Sequence, residues 1–163
     1  MGHRHMSILF LDIDGVCNNR RTRERQGNTK FIGIKPELAD RVRRIVAETG
    51  CKVVLSSSWR LFPDSKKWAE ENVCEFFDVT ADLNRGAVWG MIYRGFEIME
   101  WLNRHPGIRR YAILDDASDF LWGQHLFRTT WEDGLTDEIA DAVIAHLNSD
   151  EPLPRPTQGS PNA

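Results

Sequence analysis

Four short stretches carry side chains suited to chemistry. LFLDIDGV places Asp12 and Asp14 one residue apart at the end of an apolar run, with Gly15 behind them. VVLSSSWR sets Ser56, Ser57 and Ser58 ahead of Trp59 and Arg60. AILDDASD ends a second apolar run in Asp115, Asp116 and Asp119. RGFEIMEWL opens on Arg94. Carboxylates crowded at the ends of buried segments repel one another and are costly to desolvate, so a cation or a reaction must account for them. Hard oxygen ligands with room for water are what magnesium prefers. A carboxylate can attack phosphorus and form an aspartyl-phosphate. An acid beside it can protonate the leaving oxygen and later deprotonate water. A hydroxyl and a cation can hold the phosphoryl oxygens as charge redistributes.

These stretches act together only if the fold gathers them. Residues 8–13 form a near-continuous apolar run, too short for a helix, which suits a central parallel strand. Pro36 opens a helix with Leu38, Val42, Ile45 and Val46 on one face, and Gly50 closes it. Residues 51–55, 111–114 and 125–129 are further strands. Residues 64–73 and 96–105 are helices, the second with Ile98, Trp101 and Leu102 inward and Pro106 beyond it. A last helix follows Thr136 as N-cap, with Ile139, Val143 and Leu147 inward. Alternating strands and helices predict an α/β fold with a parallel sheet. Ligands of such sheets bind beyond the carboxyl ends of the strands. DID, SSSWR and DDASD all follow strands, so parallel strands would bring them to one edge.

The chain has 163 residues, 41% hydrophobic and 28% charged, with a net charge of −3. That suits one soluble domain and does not announce a nucleic-acid or membrane partner. No apolar run approaches the ~20 residues of a membrane span. Cys17, Cys51 and Cys74 are odd in number and widely spaced. They argue for a reducing, cytoplasmic setting and against a disulfide framework or zinc site. Residues 7–147 are expected to form the domain, and the proline-rich tail 148–163 to be disordered.

The four stretches resemble, motif by motif, the haloacid dehalogenase-like (HAD) phosphatases. In LDIDG the resemblance makes Asp12 the nucleophile and Asp14 the general acid/base. In VVLSSSWR it makes Ser56 the phosphoryl-binding hydroxyl. The basic third motif falls on Arg94, with Arg60 as a rival, where the family more often has lysine. In AILDDASD it puts Asp115 at a Mg2+ ion with either Asp116 or Asp119, alongside Asp12 and the Asp14 main-chain carbonyl. FLDIDGV, SSWR and an LDD after a WL helix look like the small HAD domains associated with RNA repair, akin to the phosphatase half of polynucleotide kinase-phosphatases. The resemblance implies a three-layer α/β sandwich around a parallel sheet. Residues 14–35, between the first strand and the Pro36 helix, leave room for at most a minimal cap. An open site suits a bulky substrate such as a phosphorylated nucleic-acid end. A mononucleotide or other small phosphoester is the alternative.

Residues 18–33 are a polar loop in which Arg20, Arg21, Arg23, Arg25 and Lys30 stand against one acid, Glu24. Such a run is usually a solvated face. Because it follows the Asp12 strand it should overhang the site, where its arginines could hold a polynucleotide backbone. Trp59 reads as a packing residue rather than a stacking platform. Two rivals come from other classes. A receiver-like phospho-accepting domain would need a long-lived aspartyl-phosphate, which Asp14 beside Asp12 disfavours. A non-catalytic nucleic-acid binder would keep its activity in Asp12→Asn. The residues are silent on oligomeric state.

Overall fold

The computed structural model describes residues 5–86 and 92–153. In chain order the elements are β1 (Ser7–Leu11), α1 (Pro36–Thr49), β2 (Lys52–Leu55), α2 (Pro63–Asn72), β3 (Asp78–Val79), α3 (Arg94–Arg104), β4 (Arg110–Asp115), β5 (Leu126–Arg128) and α4 (Asp137–Asn148), with a 3-10 turn at Ser58–Leu61. Among the described residues the five strands form one sheet in the order β3-β2-β1-β4-β5. All four pairings are parallel. This is the α/β sandwich expected from the alternation of elements. No helix among the described residues is long and apolar enough to cross a membrane.

Strand alternation divides the core. Leu9, Leu11, Val53, Leu55, Ala112 and Leu114 pack with Ala39, Val42 and Ile45 of α1, Ala69 of α2, and Ala140, Val143 and Leu147 of α4. Ile8, Phe10, Val54 and Ile113 face the other way, onto Ile98 and Trp101 of α3. Phe10 meets the Trp101 ring edge-on at 5.3 Å between centroids. The α3 side is therefore the one on which residues of even number in β1 and β2 point.

The helices end where local chemistry stops them. Pro36 occupies the first turn of α1, and Gly50, at φ +68°, closes the helix with its amide on the Val46 carbonyl. The Thr136 hydroxyl accepts from the Ile139 amide and caps α4. β1 stops at Leu11, two residues short of the expected strand, because the chain turns through residues 14–17 with Val16 and Cys17 amides on the Ile13 carbonyl. α3 starts two residues earlier than expected, at Arg94, where Asp119 supplies an acceptor for the first turn. β3 and the 3-10 turn lay outside the sequence expectation. Of the expected tail, Asn148 is still helical, and residues 154–163 lie outside the described residues.

Candidate active site

The carboxyl edge of the sheet carries a line of polar residues. Leu11 pairs with Leu55 and with Leu114, and Leu55 with Val79. One residue further along, Thr80, Ser56, Asp12 and Asp115 are therefore neighbours across four strand ends, and Asp115 is paired with Arg128 of β5. The Ser56 and Thr80 amides continue the ladder onto the Leu11 and Leu55 carbonyls, and the Asp12 amide reaches the Leu114 carbonyl at 2.9 Å. By alternation this line points to the α3 side, so a residue at the start of α3 can reach it.

Arg94 does so. Its Nη1 lies 3.2 Å from Asp12 Oδ1 and also pairs with Asp115 Oδ2. Carboxylate oxygens of Asp12, Asp115 and Asp116 all lie within 4.8 Å of one another. Asp12 and Asp115 are buried, and Asp116 is half-buried. Burial, and then the Asp115 carboxylate, raises the Asp12 carboxyl to about 8 against the pull of Arg94. Asp116 is raised for the same two reasons. Burial disfavours the Arg94 cation, but Asp12 and Asp115 outweigh it and hold the guanidinium charged. Asp119 stands apart from this trio: its Oδ2 accepts from the Arg94 amide at 3.2 Å and fixes the start of α3. Gly15, at φ +79°, is where the chain must bend beside the acids, and a Cβ there would collide with the Asp116 side chain.

The three serines have different surroundings. The Ser57 hydroxyl accepts from the Trp59 amide, and Ser58 is exposed. Ser56 is fully buried and its hydroxyl has no hydrogen-bond partner among the described residues, as is true of Thr80. A buried polar atom without a partner is costly, and a site awaiting a ligand is one reason to find it. The two arginines also differ. Every donor of Arg60 is taken: Nε by the Thr80 carbonyl, Nη1 by the carbonyls of Ser56 and Ser57, and Nη2 by the Ala81 carbonyl and, at 2.5 Å, Glu97 Oε2. Arg60 and Glu97 side chains are each only 5% exposed. Arg60 thus ties the strand ends to α3, whereas Arg94 touches the acids.

Asp14 is half-buried and held from two directions. Asn18 Nδ2 donates to Oδ1 at 2.9 Å and the Trp59 indole Nε1 donates to Oδ2 at 3.1 Å. Sequence reasoning missed both partners. Trp59 does pack in the core, as expected, but its polar edge reaches Asp14 across a sequence separation that no local pattern reports. Thr129 was missed in the same way: its hydroxyl donates to the Gly15 carbonyl at 2.6 Å and its amide to the Asp115 carbonyl at 3.0 Å, joining both acidic turns.

The basic loop is anchored beside this edge. The Arg20 amide donates to the Trp131 carbonyl, Asn19 Nδ2 to the Asp133 carbonyl, and the Gln26 and Phe31 backbones pair. Arg20 meets Glu132 at 3.1 Å and Arg21 meets Asp133 at 3.4 Å, two acids that the loop's own sequence does not contain. Arg23 and Arg25 are exposed and form no ion pair among the described residues. A hollow lies elsewhere, at the amino edge of the sheet near Ser7, Lys52, Arg110 and Glu151, away from all these groups.

A family model described as "HAD domain in Swiss Army Knife RNA repair proteins" matches residues 8–140. No curated protein matches the chain.

Proposed function

The chain belongs to the family of HAD domains in Swiss Army Knife RNA repair proteins, and we propose that it is a magnesium-dependent phosphomonoester hydrolase that acts through an aspartyl-phosphate on a phosphorylated nucleic-acid end. The observation that carries this reading is the meeting of Asp12, Asp115 and Asp116 at the carboxyl edge of the sheet, with the Arg94 guanidinium on Asp12 and Asp115 and with the Ser56 hydroxyl, which has no partner among the described residues, next to Asp12 in register.

Magnesium fits this donor set: three carboxylates converge, and Asp12 is pushed upward by burial and by Asp115, a repulsion that a dication offsets. Asp12, Asp115 and Asp116, with the Asp14 carbonyl, would hold it. When bound it neutralises charge on the acids and on the phosphoryl oxygens. Asp12 attacks phosphorus while the bond to the leaving oxygen breaks. Asp14, as the carboxylic acid, gives that oxygen its proton, leaving an alcohol, an aspartyl-phosphate and the Asp14 carboxylate. Asp14 then takes a proton from water as the water oxygen attacks phosphorus, releasing phosphate and restoring both acids. Ser56 donates to a phosphoryl oxygen, and Arg94 supplies the fixed positive charge. Arg60, with all five donors engaged, is a scaffold residue in this scheme. Asp119 serves the start of α3, and Asp116 is the third carboxylate.

A nucleic-acid end is supported by the RNA-repair family and by the basic loop, whose ends meet beside Asp14 where Asn18 bonds both the Asp14 carboxylate and the Gly33 carbonyl. Arg23 and Arg25, which have no ion pair among the described residues, can grip backbone phosphates, while Arg20 and Arg21 are partly neutralised by Glu132 and Asp133. The chemistry is tested by acid-quenching the enzyme during turnover of a 32P-labelled phosphomonoester. Label on Asp12, absent from Asp12→Asn and released by hydroxylamine, is the expected result. Turnover with no labelled protein in Asp14→Asn or the wild type would overturn the covalent mechanism.

A further inference from the structure

Asp14 has an unusual pair of partners. Asn18, from the turn after β1, and Trp59, from the 3-10 turn after β2, each donate to one of its two oxygens, at 2.9 and 3.1 Å. An indole N–H is a donor only. The Asn18 amide nitrogen also only donates, and the Asn18 oxygen already accepts from the Gly15 amide at 3.0 Å. Neither partner can therefore accept a proton from Asp14. A carboxyl group has about four lone-pair sites, so roughly one per oxygen stays open after these two bonds.

Both partners are themselves fixed. Trp59 is 5% exposed, sits in the same apolar cluster as Leu11, Ile13 and Val16, and has its amide on the Ser57 hydroxyl. Asn18 is fully buried and its second N–H is on the Gly33 carbonyl at 3.1 Å. The plane of the Asp14 carboxyl is thus set by two rigid elements rather than by solvent.

We propose that Trp59 is a positioning residue for proton transfer: its indole N–H, opposed by Asn18, clamps Asp14 in the orientation from which its proton passes to the leaving oxygen of the substrate. This rests on the phosphatase reading above, and it makes a distinct claim. An alkoxide such as a ribose oxygen departs only with a proton, whereas p-nitrophenolate departs without one. A clamp on the general acid matters for the first ester and little for the second. A misplacement of about 1 Å costs on the order of a hundredfold in rate.

The test compares Trp59→Phe, which keeps an aromatic ring in the core and removes the N–H, with wild type on a 3′-phosphorylated oligonucleotide and on p-nitrophenyl phosphate. The readout is kcat/KM, which covers the steps up to leaving-group departure and is blind to the later hydrolysis that the two esters share. The expected result is a loss about ten- to a hundredfold larger on the oligonucleotide than on the aryl ester. Because both esters are assayed on one preparation, any loss of folded protein cancels in the ratio. An equal loss on the two esters would overturn the proposal. In an Asp14→Asn background, Trp59→Phe should change the ratio no further, and an additional drop there would also overturn it. A wild type inert on both esters would instead refute the phosphatase reading itself.

Discussion

Replacing Arg60 with methionine keeps the apolar stem and removes five donors together with the charge that faces Glu97. Both side chains are 5% exposed, so the surviving Glu97 carboxylate is left buried with the Leu83 amide, at 3.3 Å, as its remaining partner. Breaking a buried pair in this way costs about 3–5 kcal/mol. The carbonyls of Ser56, Ser57, Thr80 and Ala81 lose their donor as well. For a domain of this size that corresponds to a drop in Tm of roughly 10 °C. The cost carries a pH signature. Burial raises the Glu97 carboxyl and Arg60 is the strongest influence pulling it back down, so removing Arg60 leaves only the Leu83 amide and Arg94 to oppose burial and lets the carboxyl rise further. A carboxyl whose folded value lies above its unfolded one contributes stability that is present at acid pH and lost as pH rises through the folded value. The deficit of Arg60→Met relative to wild type should therefore grow from acidic to neutral pH. Glu97→Leu added to Arg60→Met removes the stranded charge and should recover about 2 kcal/mol or more. Urea unfolding followed by tryptophan fluorescence measures all three proteins. A single variant within about 1 kcal/mol of wild type, or a double variant no better than the single, would refute the assignment of Arg60 as a buried scaffold.

Two further outcomes follow from the site. Burial and Asp115 raise Asp12 to about 8, so the metal-free protein should lose stability as pH rises through that value, and saturating magnesium should flatten the slope; melting curves in chelator and in magnesium with the same pH slope would contradict this. Arg23→Ala with Arg25→Ala should raise KM for an oligonucleotide, leave a small aryl ester unaffected, and lessen the salt dependence of log KM by about 0.7 for each backbone phosphate no longer gripped. Arg20→Ala with Arg21→Ala should do less, because Glu132 and Asp133 already face them. Equal effects of the two pairs would sink that distinction.

Much of the frame was legible in the sequence because its signals are local. α1 announces itself by Pro36, by its apolar stripe and by Gly50, and the Thr136 cap does the same for α4. Apolar runs ending in acids located β1 and β4 within about two residues. β3 has only two residues, Asp78–Val79, too few for any period, and exists because they complete a ladder with Val54 and Leu55. The same limit applies to the site. That Asp12, Ser56 and Asp115 share a register line is a property of pairing, which no strand states by itself. The choice between Arg94 and Arg60 turns on what surrounds each guanidinium, and those neighbours come from segments far apart in the chain. Asn18 and Trp59 around Asp14, and Glu132 and Asp133 beside the basic loop, are invisible for the same reason.

Magnesium-dependent phosphate release from a 3′-phosphorylated oligonucleotide and from the matching mononucleotide, each with an Asp12→Asn control, tests the central claim most directly. The account predicts release that needs magnesium, vanishes in Asp12→Asn, and is far more efficient with the oligonucleotide. Release that ignores the metal, or an Asp12→Asn protein as active as wild type, would contradict it.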